Sequence, residues 1–307
     1  MESTKESKDL VEKNFMAFPD IAADVINALL YEGTKVVQAE SLLPASTETL
    51  YSGGGEGKLR NQYEDLAKYE MQDGRVSVVY LFANQSTVDY RMVLRGAGYV
   101  GGVYREQYEG KHPDVAPVIE IVLYWGTGQW NAARDLHQMF RRKKISSEVW
   151  QYVDDIKLRV WEMRHLPPEI RELFNSDMRI VLDYLAEGES YRSDRPVVHK
   201  EALVKMLRVL SGDGDVTDTE KILQEMDIRE EDEITMCELF DQYIRKGRTE
   251  GLAQGHREGR EEGIRIFILD NMEEGKSSET IVEKLCRRFS LDMGSAQAYY
   301  NTYGARV

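Results

Sequence analysis

Residues 75–83 read RVSVVYLFA and residues 117–125 read PVIEIVLYW. Both are short runs of β-branched, aliphatic and aromatic side chains, the composition of strands buried in a sheet. Asp73-Gly74 stands directly before the first run. That pair favours the tight turn of a hairpin, which predicts a partner strand over the weakly patterned residues 60–69. Between the two runs, residues 88–109 carry Val88, Met92, Tyr99, Val103 and Tyr104 at helical spacing despite several glycines. Upstream, residues 8–32 place Leu10, Phe15, Ile21, Val25, Ile26, Leu29 and Leu30 at the same period, with Gly33 as a stop. Pro19 suits the first position of a helix that begins near Phe18. Helix, strand, strand, helix, strand is an α/β layer pattern.

Working outward, Lys35–Val37 reads as a short extended piece and residues 44–57, with Pro44 and Gly53-Gly54-Gly55, as loop. Beyond Trp130 the period becomes helical, over 132–140, 146–164, 168–187, 199–210 and 217–226. Residues 188–197 read as a linker, 236–270 as one long helix or a broken pair, and the end as a small helical tail with Ile281, Leu285 and Phe289 on one face. The expected division is an α/β domain over 1–145, a helical extension over 146–190, and an all-α C-terminal region over 191–307.

The 307 residues suffice for a full core. The apolar runs are too short to span a bilayer, and the polar start MESTKESKDL is no signal peptide. Cys237 and Cys286 make no disulfide framework and no zinc pattern, so a reducing, cytoplasmic setting is expected. A net charge of −14 leaves room for nucleic-acid binding only through a local basic strip, because phosphates need a basic face. Arg141-Arg142-Lys143-Lys144 is the densest run, though such a run is more often a solvated helix start or linker.

Gly247, Gly251, Gly255, Gly259 and Gly263 recur every four residues. Each glycine costs a helix about 1 kcal/mol relative to alanine. Positions four apart share one face, where missing side chains let another backbone approach. A self-pairing helix, hence a homodimer, is one reading; a frayed charged helix is the other.

Metal-dependent phosphodiester hydrolysis needs acidic oxygens converging on Mg²⁺. One arrangement takes a carboxylate from one strand and a second from its neighbour, two residues before a Lys or Gln, since residues two apart on a strand face one side. Asp65 sits on the first strand candidate, and the second ends in Phe82-Ala83-Asn84-Gln85. Gln85 takes the Lys/Gln place and Ala83 the place of the acid; Asp24 on the first helix is a further carboxylate. By spacing alone this pattern also fits surface residues of many folds.

The order of short motifs is more specific. Ala23-Asp24-Val25-Ile26-Asn27, Lys35-Val36-Val37, Glu40-Leu42-Pro44, Tyr63 to Lys68, Phe82-Ala83-Asn84-Gln85-Ser86, Asp89-Tyr90-Arg91-Met92 with Arg95, Pro117 to Trp125, and Trp130 with Leu136-His137 follow one another over residues 13 to 140. This succession resembles the PD-(D/E)XK nuclease family transposases, the recombination-promoting nuclease or transposase-31 group, whose tail is similar to the glycine ladder. The resemblance implies a restriction-endonuclease-like core, a central mixed sheet flanked by helices, and Mg²⁺- or Mn²⁺-dependent DNA endonuclease activity linked to recombination. It implies Asp65 as metal ligand, Gln85 for the catalytic lysine, Asp24 as accessory acid and metal ligand, and Arg95 and Tyr90 as phosphate contacts or helix packing. Arg91 and the basic run Arg141, Arg142, Lys143 and Lys144 are further candidate DNA contacts. Ala83 departs from the family's glutamate and binds no metal, so Mg²⁺ is expected to bind weakly. An exchanged glutamate, a naturally degenerate module that binds DNA or a protein, and a phage-defence effector on the same core all remain open.

Other signals carry less. The stretch from Asp213 lacks the Gly and Glu of a calcium loop, having Asp218 and Gln224 instead. Gly96-x-Gly98-x-x-Gly101 lacks the strand-to-helix setting of a dinucleotide site, so no nucleotide cofactor is expected. His112, His137, His165, His199 and His256 have no metal spacing, and His137 reads as a packing residue. Tyr90, Tyr99, Tyr104 and Tyr108 read as helix packing rather than a base-stacking platform.

Overall fold

The computed structural model describes residues 8–45, 66–110, 115–141, 143–212 and 216–304. The chain divides into two compact units, Met1–Cys237 and Glu238–Val307. The boundaries expected near 145 and 190 both fall within the first.

The first unit opens with two helices where one was expected, α1 (Lys8–Ala17) and α2 (Pro19–Leu30). Pro19 has no N–H and disfavours a helical residue before it, so Phe18 turns extended at ψ 126° and the axis breaks there. Beyond α2, Asn27 is buried and holds the next segment by its side chain. Its Oδ1 accepts from Val36 N (3.0 Å) and Val37 N (2.9 Å), and its Nδ2 donates to Val37 O (2.8 Å). Residues 35–37, expected as a short extended piece, belong to no strand and are fixed through Asn27 instead.

The sheet has five strands in the order β1-β2-β3-β4-β5. β1 (Leu42–Pro44), β2 (Leu66–Gln72) and β3 (Arg75–Gln85) form an antiparallel meander. Asp73 at φ 50° and Gly74 at φ 76° make the turn between β2 and β3, the left-handed pair of a type I′ hairpin. β2 meets the end of the strand expected over 60–69; residues 60–65, like most of the expected loop over 44–57, lie outside the described residues. α3 (Met92–Glu109) then crosses over to β4 (Val118–Tyr124), which runs parallel to β3. Short helices α4 (Leu136–Phe140) and α5 (Ser147–Trp150) follow.

The helix expected over 146–164 is corrected: after α5 the chain extends and adds β5 (Val160–Glu162), parallel to β4. Its apolar residues also fit a helical period, but the free edge of β4 offers backbone hydrogen bonds, and Arg134 and Trp130 fasten the new strand. Arg134 donates to Val160 O (2.7 Å) and Glu162 Oε1 (2.7 Å), and Trp130 N to Glu162 Oε2 (2.8 Å).

Helices α6 (Pro168–Arg171), α7 (Asp177–Glu187), α8 (Lys200–Ser211) and α9 (Thr219–Glu225) complete the first unit. Residues 213–215 lie outside the described residues, and with them the start of the calcium-like stretch. α1 and α2 lie on one face of the sheet: Lys68 Nζ donates to Ala17 O (2.5 Å), and the Tyr80 and Tyr31 hydroxyls stand 3.4 Å apart. α3 covers the other face, with Tyr99 and Val103 against Ala67, Val79 and Leu81.

The second unit contains most of α10 (Met236–Glu273), one continuous helix through the glycine ladder, then α11 (Ser278–Phe289) and α12 (Met293–Gly304). Its core gathers Ile264, Ile268, Ile281, Val282, Leu285 and Ala296. No helix among the described residues is long and apolar enough to cross a membrane.

Candidate functional site

Side chains alternate along β3, so Leu81, Ala83 and Gln85 share the face covered by α3, and Tyr80, Phe82 and Asn84 the face beneath α1 and α2. The parallel register sets Leu81, Ala83 and Gln85 beside Glu120, Val122 and Tyr124 of β4. Ala83 is 1% exposed and closed in by Met92 and Val93 of α3, with Val122, Tyr124, Trp130, Leu158 and Val160. The surroundings of the position that would bear the acid are therefore apolar.

Gln85 is buried, and its Oε1 accepts from Arg95 Nη1 at 3.4 Å. Arg95 also donates through Nε to the Tyr99 hydroxyl, lies over the Tyr99 ring with Cζ 5.3 Å from its centroid, and stands 3.9 Å from Asp89 Oδ2. Gln85 and Arg95 are thus brought together, with Asp89 beside Arg95.

Asp24 is spent elsewhere. Its carboxylate accepts from Asn175 N (2.9 Å to Oδ2), Ser176 N (2.8 Å) and Ser176 Oγ (2.7 Å), which fixes the chain just before α7. It belongs to the α2 layer, across the sheet from Ala83 and Gln85. Asp65 lies outside the described residues, one position before β2 begins at Leu66, whose partner is Phe82.

A Mg²⁺ or Mn²⁺ ion needs several oxygen donors. Ala83 supplies none, the Gln85 amide is held by Arg95, and the Asp24 oxygens are occupied by donors. Among the described residues, no three His, Cys, Asp or Glu side chains stand together to hold a metal. The described residues do not suit the ion.

The basic residues are more accessible. Arg91, just before α3, is exposed, as are Arg141, Lys143 and Lys144 after α4; Arg142 lies outside the described residues. His137 packs as expected: its ring is 4.7 Å from that of Trp150, and its Nε2 is 2.8 Å from Val153 O. The tyrosine face departs from expectation. Tyr99 is core, but Tyr90, Tyr104 and Tyr108 are exposed. Tyr90 precedes the helix, Tyr108 stands in water near its end, and the Tyr104 hydroxyl accepts from Val118 N (3.1 Å) at the start of β4, distinctions that helical periodicity alone does not make.

Two acids escaped the motif reading. Glu120 lies in the middle of β4 and is buried against α3, so close that a Cβ on Gly96 would stand 2.1 Å from its Oε2. Gly96 therefore serves this close approach rather than a nucleotide phosphate. A charged residue inside the run PVIEIVLYW was the available signal. Glu12 of α1 is fully buried; its Oε1 accepts from Ser86 Oγ at 3.5 Å, beside the end of β3, and Lys8 Nζ is 3.7 Å away. Burial pushes its carboxyl up to about 7, against the pull of Lys8. Nothing local in the sequence marks Glu12, because its burial depends on where α1 lands.

Residues 6–169 match a family model described as a putative transposase, YhgA-like. No curated protein matches the chain. No solved structure matches it either.

Proposed function

Because the chain belongs to the YhgA-like putative transposase family, we propose that it acts on DNA, as a PD-(D/E)XK nuclease fold that holds DNA without hydrolysing it. The succession of helix, three antiparallel strands, helix and parallel strand supports that scaffold. So does the common face of positions 83 and 85 at the end of β3. The observation that carries the non-hydrolysing role is Ala83, a methyl group sealed among apolar side chains where the resemblance calls for a carboxylate. Arg91 and Arg95 at the start of α3, with Arg141, Arg142, Lys143 and Lys144, are the proposed phosphate contacts. On a chain of net charge −14 such binding is local and weakens steeply with salt.

Plasmid cleavage in Mg²⁺ or Mn²⁺ tests the reading. The chain is expected to retard DNA in low salt and to leave it uncut. Ala83→Glu is expected to remain inactive and to lose about 2 kcal/mol or more of stability, since it drives a larger, charged group into a packed apolar site. Cutting by Ala83→Glu, abolished by adding Asp65→Ala, would instead identify a nuclease with a single lesion.

The same reading includes a homodimer paired along the glycine face of α10. Gly255 and Gly259 are exposed with open space around them, whereas a Cβ on Gly263 would meet Phe289 at 3.8 Å. Sedimentation of the full chain is expected to show a dimer. Gly255→Leu/Gly259→Leu is expected to shift it to monomer with its helix content intact; an unchanged dimer would place the pairing elsewhere.

A further inference from the structure

The second unit ends in two helices joined by three residues, Ser290, Leu291 and Asp292. Each makes the turn in its own way. Ser290 closes α11 in the left-handed conformation (φ 51°, ψ 46°), its N–H bonded to Cys286 O. Leu291 N also donates to Cys286 O (3.2 Å), and its side chain packs against the unit's core. Asp292 starts α12, accepting from Ser295 N (2.9 Å) and Ser295 Oγ (2.6 Å). The turn is thus fixed at both ends, and a third helix, the last part of α10, backs the pair through Ile264 and Ile268. Two helices on a short, tightly held turn, supported by a third, are the parts from which helix-turn-helix proteins present a helix to the major groove.

The composition of α12 points the same way. Met293–Gly304 reads MGSAQAYYNTYG and contains no Asp, Glu, Lys or Arg, in a chain where 31% of residues are charged. Within the helix no carboxylate opposes a phosphate, and the one at its start, Asp292, is engaged by Ser295. Ala296, Tyr299, Tyr300 and Tyr303 turn inward. Met293, Gln297, Ala298, Asn301 and Thr302 are exposed, and they are the amide, hydroxyl and methyl groups that suit base edges. Gln297 Nε2 donates to Asn301 Oδ1 at 2.9 Å. That bond leaves Gln297 Oε1 as an acceptor and Asn301 Nδ2 as a donor, the complement of an adenine's N6 and N7. Arg287, in the last turn of α11, is exposed next to the turn. Arg288 is partly engaged over the Phe267 ring at 5.4 Å. The acids of α11, Glu279 and Glu283, lie in its first half, away from the turn.

We propose that α12 is a sequence-reading helix that enters the major groove of duplex DNA, with Gln297 and Asn301 contacting bases and Arg287 a flanking phosphate. This assigns the second unit a role separate from the reading of the first.

The test is a selection by the full chain from duplexes randomised over about 20 base pairs, long enough for two half-sites. EDTA is present throughout, so neither cleavage nor a metal enters the result. An enriched site containing A·T pairs is expected, bound at least about 10-fold tighter than a shuffled duplex. Gln297→Ala/Asn301→Ala is expected to bring that preference below about 2-fold. Both side chains are exposed, so its melting temperature should not move. Arg287→Ala is expected to weaken binding to both duplexes equally. Arg91→Ala/Arg95→Ala, which tests the first unit, is expected to leave the preference in place. A pool with no enriched site would overturn the proposal. So would a preference that survives the double substitution, including the case in which that substitution changes only the sedimentation of the chain.

Discussion

Asp183→Ala is expected to destabilise the first unit by about 3–5 kcal/mol, measured by urea titration. Asp183 lies on α7 between two arginines. Its Oδ1 accepts from Arg171 Nη1 at 2.6 Å, and its Oδ2 accepts from Arg179 Nε. All three side chains are largely removed from solvent, at 13% exposure for Arg171, 9% for Asp183 and 16% for Arg179, so water cannot replace the carboxylate. Deleting it leaves two guanidinium groups facing each other in a poorly solvated place. Arg171 already has a buried Nε without a partner, so it has no reserve of hydrogen bonds. Asp183→Asn keeps an acceptor without the charge and should fall between alanine and the native residue. A loss under about 1 kcal/mol for Asp183→Ala would mean that the cluster behaves like a surface pair.

Glu12→Gln is expected to stabilise the protein at pH 8 and to change little at pH 4. The Glu12 carboxyl is ordinary in the unfolded chain, near 4.5, and is raised to about 7 by burial in the folded one. Between those values the folded state holds a proton that the unfolded state has released, so stability falls as pH rises from about 4.5 to about 7 and stays reduced above it. The full loss corresponds to about 3 kcal/mol. Lys8 draws the carboxyl down and Asp9 pushes it up, but neither outweighs burial. Glutamine fits the same space and does not titrate, so the substitution should flatten the slope across this window. The measurement is a pair of urea titrations at each pH. A variant that loses stability at pH 8 would show that the ionised carboxylate is held by its neighbours rather than penalised by burial.

Glu12 rests against Ser86, the residue after Gln85, so this pH response arises at the strand end that carries the candidate site. The same strand end holds the sealed Ala83. A hydrolytic site there would need oxygen donors, and the packing around position 83 offers methyl and aromatic groups. On that ground the proposed role rests on grip: basic side chains around α3 and α4 in the first unit, and a neutral reading helix in the second.

Where a structural choice depends on neighbours in the chain, the sequence by itself decided it. Asp73-Gly74 fixed the β2–β3 hairpin because those residues accept the left-handed conformation that the turn requires. Pro19 fixed the break between α1 and α2 through its own ring. The strands β3 and β4 and the helix α3 followed from composition and period, whereas the continuity of α10 through its glycines was left open by the sequence. The order of motifs also pointed to the family that residues 6–169 match.

Choices that depend on distant partners were left to the tertiary structure. β5 forms because the edge of β4 is free, a fact absent from residues 160–162 themselves. Asp24 takes donors 151 and 152 residues away, which no spacing rule along α2 foretells. Gly96 gives room to the Glu120 carboxyl, which arrives beneath it from another strand. Periodicity identifies a helix but not which of its faces meets the sheet, so on α3 Tyr99 is core while Tyr108 faces water. Local backbone preference is written residue by residue. Burial and long-range partnering exist only once the layers have packed, and there Ala83 was enclosed, Glu12 shifted, and the outer face of α12 left open.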